Sequence, residues 1–278
     1  MEQFPGIASG DLGVFALGLL ITGVVSGLVA GLLGVGGGIV VVPVLYHVLA
    51  LLHVDVSVRM HVAVGTSLAC IIPTSWSSAT AHNAKGAVDW ALLRRWAIPM
   101  FVGVLIGSAA AGFSSGRVLA LVFTAVALPV AVYLALTDDK RRIGDHLPEG
   151  AVGAVVPGAI GAVSTMMGIG GGTVGVPIMT LWGMPIHRAV GTASAFGVII
   201  SLPGTIGAIV TGWHAAGTPP WSLGYVNFLG FLLIAPTSFF AAPFGAEFAH
   251  STDVKRLRLV FALFIAVTTA RMLYDALM

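Results

Sequence analysis

The chain has 278 residues, of which 57% are hydrophobic and only 9% charged, with a formal net charge of +2. A soluble domain is about a quarter charged, so these residues cannot cover a water-facing surface; the chain reads as an integral membrane protein. The small net charge and the lack of a basic stripe exclude a nucleic-acid partner, and the single cysteine, Cys70, excludes an intramolecular disulfide or a multi-cysteine metal site.

Apolar runs of helix length fall at about 12–33, 39–52, 60–81, 92–113, 117–136, 151–167, 173–184, 189–211, 222–246 and 256–277. The first lacks a basic flank and reads as a retained helix rather than a signal peptide. A full crossing needs roughly 20 residues. The second and seventh runs are too short, and each follows a glycine cluster. The expectation is therefore an all-α membrane protein in which these two segments are half-length or re-entrant.

The first cluster is Gly34-Val35-Gly36-Gly37-Gly38-Ile39-Val40-Val41-Val42-Pro43. It returns as Gly168-Ile169-Gly170-Gly171-Gly172-Thr173-Val174-Gly175-Val176-Pro177, with seven of ten positions identical. His61-Val62-Ala63-Val64-Gly65-Thr66 likewise matches His187-Arg188-Ala189-Val190-Gly191-Thr192, and Gly86–Trp90 is expected to match Gly217–Trp221. The same order in both halves indicates duplication. The expected units are residues 1–136 and 151–278, each of about five helical segments, joined by a cytoplasmic linker at 137–150.

Five segments per half place Lys85, Arg94, Arg95, Lys140, Arg141, Arg142, Arg188, Lys255, Arg256 and Arg258 on one side. Arg59, Arg117 and Arg271 fall opposite. Four segments per half would split these charges almost evenly. The positive-inside rule favours five, and an odd number makes the repeats inverted with both termini outside the cytoplasm.

A broken helix at membrane depth is tolerated where it faces protein or a water-filled cavity. Inverted repeats with such breaks are a transporter architecture with a midplane site, and a helix N-terminus attracts an anion through its N–H groups and dipole. The candidate substrate residues are Gly36, Gly37, Gly38, Gly170, Gly171 and Gly172, with Thr66, Ser67, Thr173, Thr192 and Ser194 as neutral donors. The competing reading is that glycines only let helices approach closely. His61, His82, His187 and Glu247 are candidates for proton carriage or gating, against interfacial capping. Ser75-Trp76-Ser77-Ser78 puts three hydroxyls and an indole within the third helix. Trp90, Trp96, Trp213 and Trp221 read as interfacial anchors.

The paired glycine blocks, with Ala63-Val64-Gly65-Thr66 and Ala189-Val190-Gly191-Thr192, resemble the sulfite exporter TauE/SafE family of membrane permeases. The duplicated layout extends the resemblance over essentially the whole chain. It implies a bacterial or archaeal inner-membrane permease for sulfite, a sulfonate or a related organic anion, working by alternating access with proton coupling or by facilitated diffusion. The expected partners are that small anion and the lipid bilayer, with homo-oligomerisation left open. No cofactor or metal is expected, and the chain is not expected to be an enzyme. An anion channel on the same fold and an intramembrane hydrolase are the alternatives. The latter has only Ser78 and His82, four residues apart, to recommend it.

Overall fold

A computed structural model describes residues 9–136, 143–144, 147, 150–251 and 255–277. Most of the expected linker, including Lys140, Arg141 and Arg142, lies outside them. The described residues are all-α apart from one small hairpin and the connecting turns. Ten helices follow in order: α1 (Ser9–Leu33), α2 (Gly38–Leu51), α3 (Val56–Ala84), α4 (Trp90–Phe113), α5 (Gly116–Leu136), α6 (Gly150–Met167), α7 (Gly172–Leu181), α8 (Ile186–Gly212), α9 (Phe228–Ser251) and α10 (Lys255–Leu277). The hairpin, Ser222–Leu223 with Val226–Asn227, occupies the start of the run expected to be helical from 222. Turn geometry at Gly224 and the side-chain bonds of Asn227 take over that segment.

Among the described residues six helices are long and apolar enough to cross a bilayer, making this a multi-pass membrane protein. At about 1.5 Å per residue, α2 is roughly 21 Å long and α7 roughly 15 Å. Both fall short of the roughly 30 Å hydrocarbon core.

Packing runs between the two halves of the sequence. α1 lies on α9, α4 on α6, α3 on α8 and α5 on α10. α3 and α8 form the central pair, and the short α2 and α7 lie against them. Small residues set the approach of the flanking pairs, as they do where lipid offers no hydrophobic drive for helix association. A Cβ on Gly27 would sit 2.8 Å from Ser238 Cα, and one on Gly107 would sit 2.8 Å from Ala162 Cα. Among the expected anchors, Trp90, Trp213 and Trp221 are exposed, but Trp96 is fully buried. Its ring stacks on Phe196 of α8, with centroids 5.6 Å apart, because this face of α4 meets α8 rather than the membrane surface.

Candidate functional site

The two glycine clusters meet. A Cβ on Gly36 would lie 3.1 Å from Gly170 Cα, and one on Gly170 would lie 2.6 Å from Val35 O. The contacts on either side come in corresponding pairs. Gly34 abuts Val190 of α8, with the added Cβ 2.5 Å from its carbonyl oxygen, while Gly168 abuts Val64 of α3, 2.8 Å from its Cα. Gly38 is pressed against the Gly168 carbonyl and Gly172 against the Gly34 carbonyl. These glycines therefore do provide close backbone approach, and no other residue fits at Gly172 without moving the main chain.

The breaks also expose chemistry. Gly37 and Gly171 stand at the N-caps of α2 and α7, and neither supplies a side-chain cap. The first N–H groups of a helix have no partner within it, so both short helices begin with donors inside the protein. Several buried polar groups of α3, α4, α7 and α8 have no partner. Ser75 Oγ and Ser201 Oγ are both in residues with no exposure. Ser201 stands as far past His187 as Ser75 stands past His61. Ser75 Oγ is 3.2 Å from where a Gly36 Cβ would be. Thr173 Oγ1, in the first turn of α7, is likewise buried and unpartnered. So is Trp96 Nε1, whose stacking partner Phe196 lies against Gly171. Buried polar groups normally find partners; of these four orphaned donors, Ser75, Thr173 and Trp96 are connected to the breaks by contact, and Ser201 by its matching place in the second half of the sequence.

Other expected donors are engaged elsewhere. Ser67 Oγ donates to Gly168 O at 2.7 Å, which fastens α3 to the second break. Ser194 Oγ bonds Val190 O and Ser78 Oγ, both at 3.0 Å. Thr66 Oγ1 accepts the Asn227 N–H at 2.8 Å, and Thr192 Oγ1 accepts the Asp89 N–H at 2.9 Å. These two bonds correspond closely. Asp89 Oδ1 caps α4 by accepting from Leu92 N–H, and Asn227 Oδ1 caps the start of α9 by accepting from Gly230 N–H. Beside them, a Cβ on Gly191 would lie 2.8 Å from Ala87 O and one on Gly65 would lie 2.5 Å from Tyr225 O. The structural counterpart of Gly86–Trp90 is thus Gly224–Phe228. The expected match to Gly217–Trp221 is displaced because the hairpin intervenes between Trp221 and α9.

The matched ends differ in charge. Asp89 Oδ2 accepts from Arg188 Nη2 at 2.8 Å, whereas the amide of Asn227 donates to Pro220 O and Ser222 Oγ. The histidines differ too. His61 is buried, stacks on Tyr225 at 4.7 Å and bonds Ser114 O through Nε2 at 3.0 Å. Burial raises the Tyr225 phenol above its ordinary value. His187 is exposed at the start of α8. His82 Nε2 lies 2.7 Å from Gly31 O and anchors the end of α3 beside the first break. Glu247 is exposed in the last turns of α9. Sequence reasoning missed one cluster: Asp275 of α10 faces His47 of α2 at 4.0 Å and Arg271 at 3.3 Å. The visible signal was a histidine inside the apolar run of a half-length helix.

The family model for the sulfite exporter TauE/SafE matches residues 19–272. The chain belongs to that family. Its curated relatives are transporters rather than enzymes. A probable membrane transporter protein of Haemophilus influenzae is 33% identical over 93% of this chain and 98% of its own length. YunE of Bacillus subtilis, also a probable membrane transporter protein, is 26% identical over 93% and 97%. MJ0441 of Methanocaldococcus jannaschii, another, is 27% identical over 90% and 92%. No solved structure matches the chain. A role in membrane transport follows for this family member.

Proposed function

We propose that this transporter moves a small oxyanion, sulfite or a sulfonate or a related organic acid, across the inner membrane by alternating access. The observation that carries the reading is the meeting of two uncapped helix starts beside Ser75 and Thr173, buried hydroxyls without partners, with Ser201 the equally buried and unpartnered counterpart of Ser75. No arginine or lysine is buried among the described residues, so the anion is held by N–H groups, hydroxyls and helix dipoles. Neutral donors suit a site that must also release its substrate.

The matched ties support a mechanism in which residues 1–136 and 151–278 are inverted repeats that rock against each other about the α3–α8 contact, with both termini periplasmic. The Thr192–Asp89–Arg188 end and the Thr66–Asn227 end then act as the two gates. Proton coupling through His61, His82, His187 or Glu247 belongs to the same proposal, as does its alternative, facilitated diffusion.

Proteoliposomes loaded with sulfite test it. Flux should saturate with substrate and fall at least about tenfold in Ser75→Ala and Ser201→Ala, the loss expected when a charge-accepting hydrogen bond of about 1.5–3 kcal/mol is removed. Non-saturating flux would favour a channel, and undiminished flux in both variants would remove the site.

A further inference from the structure

We propose that the groove between α3, α4 and α8 binds one acyl chain of an anionic phospholipid, whose phosphate sits between Lys85 and Arg94. The groove encloses about 300 Å³, within the range of ligand pockets. Its walls are almost wholly apolar: Trp76 and Ala79 on α3, Trp90 and Leu93 on α4, Val198 and Ile199 on α8. Both indoles are exposed, Trp76 to 63% and Trp90 to 51%. Large aromatic surfaces at this level of a membrane protein face lipid.

One end of the groove is polar and positive. Trp90 Nε1 donates to Asn83 Oδ1 at 2.9 Å, which fixes the indole as a wall and leaves the Asn83 amide N–H groups free to meet a phosphate or ester oxygen. Lys85 follows directly after α3 and is exposed. Arg94 is one turn beyond Trp90 on the same face as Trp90 and Leu93. Neither cation has a carboxylate partner among the described residues, and the nearby Asp89 is taken by Arg188. Lys85, two residues past Asn83, and Arg94, one turn past Trp90, are thus exposed cations that follow closely on lining residues of the groove, and together they complement a phosphodiester with net negative charge. A zwitterionic headgroup brings its own cation and gains less. The ligand would bear on the transporter mechanically, because Ser75, Ser78, Ser194 and Gly197 lie on the same α3 and α8 segments that form its walls.

The test uses the full-length protein in detergent micelles and phosphatidylglycerol or phosphatidylcholine with brominated acyl chains, read as tryptophan quenching. The expected result is a preference of about tenfold or more for phosphatidylglycerol. Lys85→Gln with Arg94→Gln, both at exposed positions, should abolish the preference. Trp76→Phe with Trp90→Phe should abolish the lipid-selective part of the quenching, leaving the background of the exposed Trp213 and Trp221, and Ala79→Phe should weaken both lipids by filling the groove. Equal quenching by the two lipids, or a preference that survives the loss of both cations, would overturn the proposal. So would a groove-filling variant that leaves lipid binding intact but dissociates a dimer, because the occupant would then be a second copy. Binding is read without flux, so this result stands or falls separately from the transport reading.

Discussion

The two glycine clusters share seven of ten residues, yet the backbone uses them differently. In the first, Gly34, Gly36 and Gly37 all have positive φ, at 69°, 73° and 80°. In the second only Gly168 does, at 68°, and Gly171 caps α7 with an ordinary helical φ of −59°. The first cluster therefore turns through a left-handed path that glycine alone takes easily. Backbone presses on both clusters, at Gly34 and Gly38 as at Gly170 and Gly172, and after Gly168 this close approach is what remains to explain the glycines of the second. Near-identical motifs thus share a steric constraint, and the first carries a conformational one besides.

That contrast can be broken by alanine substitution. The largest effect is expected at Gly172→Ala, where the new Cβ overlaps the Gly34 carbonyl and only main-chain movement relieves it. A loss of about 3 kcal/mol or more should appear as poor yield and a lowered Tm. Gly37→Ala should cost about 2 kcal/mol, because a left-handed φ strains any L side chain and Ser26 blocks the space. Gly171→Ala should cost only about 1 kcal/mol, since its nearest obstacle is the flexible end of Ile200 at 2.7 Å. Equal losses at Gly37 and Gly171 in denaturation midpoints would contradict the distinction.

The matched ties sharpen the comparison further. Thr66→Val and Thr192→Val each leave a partly buried backbone N–H unsatisfied and should each cost about 1–2 kcal/mol. Similar values would support two equivalent ends. Arg188→Gln should be the mildest change, with a stability loss below about 1 kcal/mol, because the arginine is 54% exposed. If that end is a gate, its effect belongs in the direction or rate of flux instead.

The ten segments were legible in the sequence because membrane helices announce themselves by length and apolarity, and the short second and seventh runs were visible for the same reason. The α9 boundary was not, since Ser222–Asn227 is apolar enough to read as helix while Gly224 and Asn227 direct it into a hairpin. The same segment hid the true counterpart of Asp89: an Asp and an Asn perform the same capping task without looking alike in a search for repeated words. At the site, the glycines and Thr173 were legible. Ser201 was not singled out, and Trp96 read as an interfacial ring, because whether a hydroxyl or indole finds a partner depends on tertiary neighbours. Thr66 and Thr192 were rightly noticed as a pair, but what pairs with them is backbone from the other half of the chain.

The central claim is that Ser75, the buried hydroxyl beside the first break, and its counterpart Ser201 bind the transported anion. Calorimetric titration of sulfite into purified protein tests it most directly, comparing wild type with Ser75→Ala/Ser201→Ala. Removing unpartnered buried hydroxyls should leave the ligand-free Tm unchanged or raise it, by about 1 kcal/mol of stability per site. The account predicts that this equally stable variant binds sulfite at least about tenfold more weakly. Wild-type affinity in the double variant would contradict it.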